Sequence, residues 1–210
     1  LLKVDNRGLK AVNGFGQMMI ATRHGNFAVK KGDKLAGTRI IPLVIEEEKM
    51  EAAKKAAAEA TEGCPILELK PFLHKKVGIV TTGNEVFYGR IKDTFTPVIR
   101  GKLSEFDTEV IDHVTWNDDD TKVTASILDM IQKGADVVVC TGGMSVDPDD
   151  KTPLAIRNTG ADIVSYGAPV LPGAMFLLAY YQVKDGENPR TVAIMGLPGC
   201  VMYARRTIFD

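Results

Sequence analysis

"ADVVVCTGG", residues 135–143, is an apolar run that stops at two glycines. Four consecutive apolar residues, 137–140, suit a strand buried on both faces, the situation of a parallel strand covered by helices. Thr141-Gly142-Gly143 breaks the strand, and Asp147, Asp149 and Asp150 crowd the turn that follows. Similar runs recur at 76–83 (KVGIVTTG), 109–116 (EVIDHVTW), 162–167 (DIVSYG) and 191–199 (TVAIMGLPG). Between them, 95–106 and 118–134 carry helical spacing. In the second, Val123, Ile127, Met130 and Ile131 share one face and Gly134 marks the stop. Strands alternating with helices predict a three-layer α/β/α sandwich with a mostly parallel sheet over residues 75–210.

Residues 1–74 read differently. "MMIATRHGNFAVKKGDKLAGTRIIPLVI" (18–45) has short apolar stretches broken by His24-Gly25-Asn26 and Lys31-Gly32-Asp33, which predicts hairpins in a small β-rich unit. The Ala-rich stretch 46–63 predicts a helix that stops at Gly63. Two prolines make 64–72 a linker or an edge strand.

The 210 residues are enough for one large domain or two small ones. With 26 basic and 27 acidic residues the net charge is −1, so nothing draws the chain as a whole to nucleic acid or an anionic membrane. No apolar run approaches the roughly 20 residues that span a bilayer, and no signal peptide is visible. Cys64, Cys140 and Cys200 have neither disulfide nor zinc spacing, so a reducing cytoplasm is expected. The chain starts at Leu1 without Met and stops at Asp210 inside an apparent helix, which predicts a fragment of a longer protein, truncated at its C-terminus.

Ligands of open parallel sheets bind at the carboxyl ends of the strands. Here those ends carry Thr81-Thr82-Gly83-Asn84-Glu85, Asn117-Asp118-Asp119-Asp120, Thr141-Gly142-Gly143-Met144-Ser145 and Gly196-Leu197-Pro198-Gly199. Glycine turns let a bulky anion approach the backbone, and Thr141 and Ser145 add donors, so a phosphate is a natural guest. Glu85, Asp119 and Asp150 repel a phosphate but suit a hard cation such as Mg²⁺, which bridges carboxylates to substrate phosphates. Asp118 or Asp119 also fits a helix cap, and Asp147 and Asp149 a solvated turn. Cys140 ends an apolar strand and reads as buried rather than nucleophilic, and His24, His74 and His113 are scattered singly.

"TTGNEV" with Asp93 following, "TGGMSVDPDD" and "GLPG" before a helix resemble the molybdopterin-binding domain family of molybdenum-cofactor biosynthesis, with domains of the MoaB/Mog type. The GLPG turn leans toward the molybdenum-inserting branch that includes the gephyrin E domain. The resemblance covers about residues 75–210. It implies a three-layer α/β/α fold, binding of molybdopterin and its phosphate, and Mg²⁺-dependent adenylylation or exchange of the adenylate for molybdate. By position it makes Glu85, Asp119 and Asp150 the metal-binding and catalytic acids, with Asp120 in place of Asp119 if the register is off by one, and adds Asp93. It makes Thr141, Gly142, Gly143, Met144 and Ser145, together with Gly196, Leu197, Pro198 and Gly199, the molybdopterin-binding residues. Adenylylated molybdopterin, molybdate and a nucleotide are further ligands it allows, and homo-oligomerisation is expected.

There are departures. Leu171 and Ala174 stand where the inserting branch has lysines, and Cys200-Val201 follow Gly199 where that branch has Asn-Pro. Met144-Ser145 replace the Thr-Gly of the adenylylating branch. Two functions therefore stay open: a Mg²⁺-dependent transferase acting on molybdopterin or its adenylate, and a non-catalytic molybdopterin carrier or sensor. A different nucleotide-binding α/β domain is a third alternative, but no GxxxxGK[ST] or GxGxxG is present.

Overall fold

The computed structural model describes residues 1–145, 147, 150–184 and 189–210, so Pro148 and Asp149 of the acidic turn lie outside the described residues. The chain forms two compact units, 1–72 and 73–210. Among the described residues no helix is long and apolar enough to cross a membrane.

The first unit contains β1 (Leu2–Val4), α1 (Asn6–Asn13), β2 (Met18–Thr22), β3 (Ala36–Ile40), α2 (Glu47–Ala60) and β4 (Leu67–Leu69). Strands β1 and β4 pair antiparallel, as do β2 and β3. Both expected turns fall in one long loop, 23–35, so the predicted hairpins are a single one; its Arg23–Asp33 ion pair is 3.1 Å long. Helix α1 was not expected. Asp5 caps it, accepting from the N–H groups of Arg7 and Gly8, but Gly8 depresses its helix propensity and hides it from the pattern. Val12, Met18 and Ala53 form the small core.

The second unit contains β5 (Lys75–Thr82), α3 (Asn84–Phe87), α4 (Phe95–Leu103), β6 (Thr108–Trp116), α5 (Asp120–Gln132), β7 (Val137–Thr141), α6 (Thr152–Asn158), β8 (Asp162–Tyr166), β9 (Leu177–Val183), β10 (Arg190–Leu197) and α7 (Cys200–Tyr203). Six strands form one sheet in the order β6-β5-β7-β10-β9-β8. The first four are parallel, and β9 runs antiparallel to both β10 and β8. The expected mostly parallel α/β architecture is present. Strand β9 went unread.

Alternation along each strand builds a core on either face. Val80, Val138, Cys140 and Ile194 point to Val123, Ile127 and Met130 of α5 and to Ile156 of α6. Val77, Ile79, Val139 and Leu197 point the other way, to Ile99 and Leu103 of α4 and Val201 of α7. Burying each such side chain stabilises the fold by about 1.5–3 kcal/mol relative to exposure.

Candidate functional site at the strand ends

Pairing registers bring the predicted turns together. Thr81 lies beside Thr141, Thr141 beside Leu197, and Thr82 beside Trp116. The chain after Thr141 turns through Gly142 (φ +85°) and Gly143 (φ +52°). A Cβ on Gly142 would strike the Thr82 carbonyl oxygen and stand 2.7 Å from Thr82 Oγ1, so only glycine fits this crossing. Thr152 Oγ1 donates to the Gly142 carbonyl at 2.7 Å, tying the turn to the start of α6. Gly196 has a related role: a Cβ there would sit 2.6 Å from Met144 Cε, so the glycine makes room for the Met144 side chain. Met144 is thereby buried, packed in the core.

Two depressions flank the turn at 143–145. One is a cleft of about 610 Å³ whose lining includes Thr81, Thr82, Gly83, Glu85, Asp118, Gly143, Asp147 and Asp150. The other is a groove of about 470 Å³ lined by Met144, Ser145, Pro172, Gly173, Pro198 and Cys200 among others, with no charged side chain. A third cavity, about 920 Å³, lies far from this chemistry at the C-terminal end of α5. Its Arg190 is committed to structure, donating to the carbonyls of Ala135 (2.6 Å) and Ile131.

The predicted acids separate. Glu85 is exposed on the first turn of α3 and lines the cleft. Asp150 also lines it, with Oδ2 accepting from the backbone N–H of Ser145 at 2.6 Å and from Ser145 Oγ at 2.7 Å. Asp119 instead caps α5: it accepts from Lys122 N at 3.2 Å and pairs with Lys122 Nζ at 3.6 Å. Asp120 accepts from Asn158 at 3.3 Å. The acid that β6 sends to the cleft is Asp118, one residue earlier than expected. The next residue back, Asn117, keeps a buried Oδ1 without a partner, which suits a donor or a cation. Of the predicted binding residues, Met144, Ser145, Pro198 and Gly199 line the uncharged groove and Gly143 the acidic cleft, while Thr141, Gly196 and Leu197 are buried.

Among the described residues no three His, Cys, Asp or Glu side chains gather to hold a metal ion. Glu85, Asp119 and Asp150 therefore do not make a preformed cage. Mg²⁺ does not need one: it takes one or two carboxylates and fills its shell with water and substrate phosphate. The all-oxygen set of Glu85, Asp118, Asp147 and Asp150 fits that use.

Beneath the cleft lies a hydrogen-bonded group of which sequence reasoning singled out only Asp93 and Thr141. Thr141 Oγ1 donates to Thr81 Oγ1 at 3.3 Å, and Thr81 Oγ1 is 3.2 Å from Thr96 Oγ1. Thr96 Oγ1 donates to Asp93 Oδ2 at 2.5 Å, and His113 Nε2 lies 2.9 Å from Thr96 Oγ1 and 3.2 Å from Thr81 Oγ1. Asp93 also accepts from the N–H groups of Phe95 (2.9 Å) and Thr96 (3.1 Å), which starts α4. Burial holds the His113 ring below the usual histidine range, helped by Arg100 and opposed by Asp93 and Asp112. No sequence motif announces this group, because its members come from four separated segments.

Cys140 lies directly below the Thr-Gly-Gly turn. Burial pushes its thiol up to about 12, so it is no nucleophile. An aromatic disulfide reagent at pH 8 is expected to modify the exposed Cys64 in the folded protein and to reach Cys140 only on unfolding. Peptide mapping of the labelled protein checks this.

The tungsten cofactor synthesizing protein MoaB from Pyrococcus furiosus superposes with a TM-score of 0.50 at 23% identity, covering 64% of this chain and 86% of that one. At that identity the likeness speaks for the fold alone. A CinA-like protein of Mycobacterium tuberculosis (strain ATCC 25177 / H37Ra) is 32% identical over 90 residues, 42% of this chain and 21% of the relative. One from Syntrophus aciditrophicus (strain SB) is 36% identical over 81 residues, 39% of this chain and 19% of the relative. The chain thus spans about a fifth of the length of these curated relatives. Residues 78–210 match the family described as "Probable molybdopterin binding domain", and the chain belongs to that family.

Proposed function

We propose that the chain binds molybdopterin across the turn at 143–145 and takes part in molybdenum-cofactor biosynthesis through Mg²⁺-dependent processing of the pterin phosphate or its adenylate. The observation that carries this is the pairing of a cleft lined by four acids against one lysine, Lys92, with an uncharged groove on either side of one glycine turn. The groove suits a flat ring system, and the glycines let the phosphate approach the backbone. One or two of Glu85, Asp118, Asp147 and Asp150 would hold Mg²⁺, which would neutralise charge on the phosphate. Asp150 also holds Ser145 in place, and the buried threonines keep the cleft floor rigid. A cytoplasmic homo-oligomer is the setting that suits this role.

One observation favours the carrier alternative. Leu171 and Ala174 leave the groove without a cation, so a molybdate arriving there would meet no opposite charge. Calorimetric titration with molybdopterin, with and without Mg²⁺, separates the possibilities. Binding that tightens with Mg²⁺ is the expected result. Tight binding indifferent to Mg²⁺ supports the carrier, and no binding overturns the proposal.

A further inference from the structure

We propose that His113 is a positioning residue: its Nε2–H fixes the direction of the buried hydroxyl chain Thr141–Thr81–Thr96–Asp93, so that the cleft floor meets its ligand as an acceptor surface. The inference rests on the reading of the cleft as a cation and phosphate site and deepens it.

Proton counting carries the inference. A carboxylate bound to this many donors only accepts. Asp93 takes two backbone N–H groups and the Thr96 hydroxyl, the last at 2.5 Å. Thr96 has one hydroxyl proton, and this contact uses it. The 2.9 Å contact between Thr96 Oγ1 and His113 Nε2 must then be donated by the ring. Nε2 therefore carries a proton in the neutral ring, and burial favours the neutral ring. A protonated Nε2 cannot accept from Thr81, 3.2 Å away. The Thr81 proton is left to Thr96, at 3.2 Å, and Thr141 donates to Thr81 at 3.3 Å.

The chain thus runs one way, from Thr141 down to Asp93, and its protons point away from the cleft. Thr81 is among the residues that line the cleft, and with its proton given to Thr96 its oxygen is left only to accept. Together with four rim carboxylates, which outnumber the one lysine there, Lys92, this floor suits a cation or a donor-bearing ligand and disfavours a bare anion. With the proton on Nδ1 instead, Nε2 would attract the hydroxyls of Thr81 and Thr96, pull Thr96 from Asp93 and scramble the direction.

Two measurements on the same protein test this. Long-range ¹H–¹⁵N NMR of the His113 ring reads the tautomer directly, without any ligand. Titration with Mn²⁺ alone reads the cleft in the unaltered protein, in His113→Gln, which keeps an N–H near the Nε2 position, and in His113→Leu, which does not. The expected result is an Nε2–H ring, Mn²⁺ affinity about fivefold weaker in His113→Leu, the loss of one hydrogen bond's worth, and near-normal affinity in His113→Gln. An Nδ1–H ring overturns the inference while leaving the cation site standing. Equal losses in both variants, or none in either, also overturn it, because a purely structural role does not distinguish a donor from its absence. Failure of the unaltered protein to bind Mn²⁺ overturns the reading of the cleft and the inference with it.

Discussion

Gly142→Ala is expected to destabilise the protein by about 3–5 kcal/mol. Two costs combine. The residue has φ +85°, where a side chain is strained, and the added Cβ would run into the backbone of Thr82 rather than a flexible side-chain tip. Strands β5 and β7 are neighbours in the sheet, so relief means moving one strand end against the other. Gly143→Ala is the matched control. Its φ of +52° is one that L-residues visit, and its Cβ would stand 3.1 Å from Thr152 Oγ1, a contact a small shift relieves. About 1–2 kcal/mol is expected there. Urea unfolding of the two variants checks the difference, and equal midpoints would show that the crossing over Thr82 is not the constraint.

Asp150→Asn is expected to weaken the Mg²⁺-dependent part of molybdopterin binding at least tenfold, about 1.4 kcal/mol, with little change in stability. Asparagine keeps a carbonyl oxygen for the two donors of Ser145, so the turn should survive, while the charge that attracts the cation is lost. Asp119→Ala is expected to do the reverse. It removes the acceptor for Lys122 N at the start of α5, a loss of about 1 kcal/mol of stability, and should leave binding unchanged. Calorimetry with and without Mg²⁺ and thermal unfolding of both variants decide between the two acids. If Asp119→Ala removes the Mg²⁺ effect and Asp150→Asn does not, the structural assignment of the acids is wrong.

These two acids show where sequence reasoning stopped. Asp118, Asp119 and Asp120 are chemically identical neighbours, and a cap and a ligand use the same carboxylate. Successive residues at a helix start point about 100° apart. Which one faces the cleft therefore depends on where α5 begins, and it begins so that Asp119 caps it. That Asp150 follows a glycine turn was legible, but its place in the cleft lining and its bond to Ser145 were not. Strand β9 and helix α1 were missed for local reasons. The β9 residues, LLAYYQV, follow a Pro-Gly turn that obscures the strand start, and α1 carries a glycine in its first turn.

What the sequence determined alone is the layered α/β arrangement of residues 75–210 and the end of the sheet at which the glycine turns and acids gather. Both follow from short-range pattern: apolar runs long enough for strands, each ending in Gly, Thr or Asp or reaching one within two residues. Only the tertiary structure decided how those groups divide. Strand order β6-β5-β7-β10 sets Thr81 beside Thr141, and the helices packed on the two faces bring Thr96 and Thr152 beneath them. A hydrogen bond acts only over a short distance, and residues 60 apart in the chain, such as Thr81 and Thr141 at 3.3 Å, come that close only when the sheet has placed them.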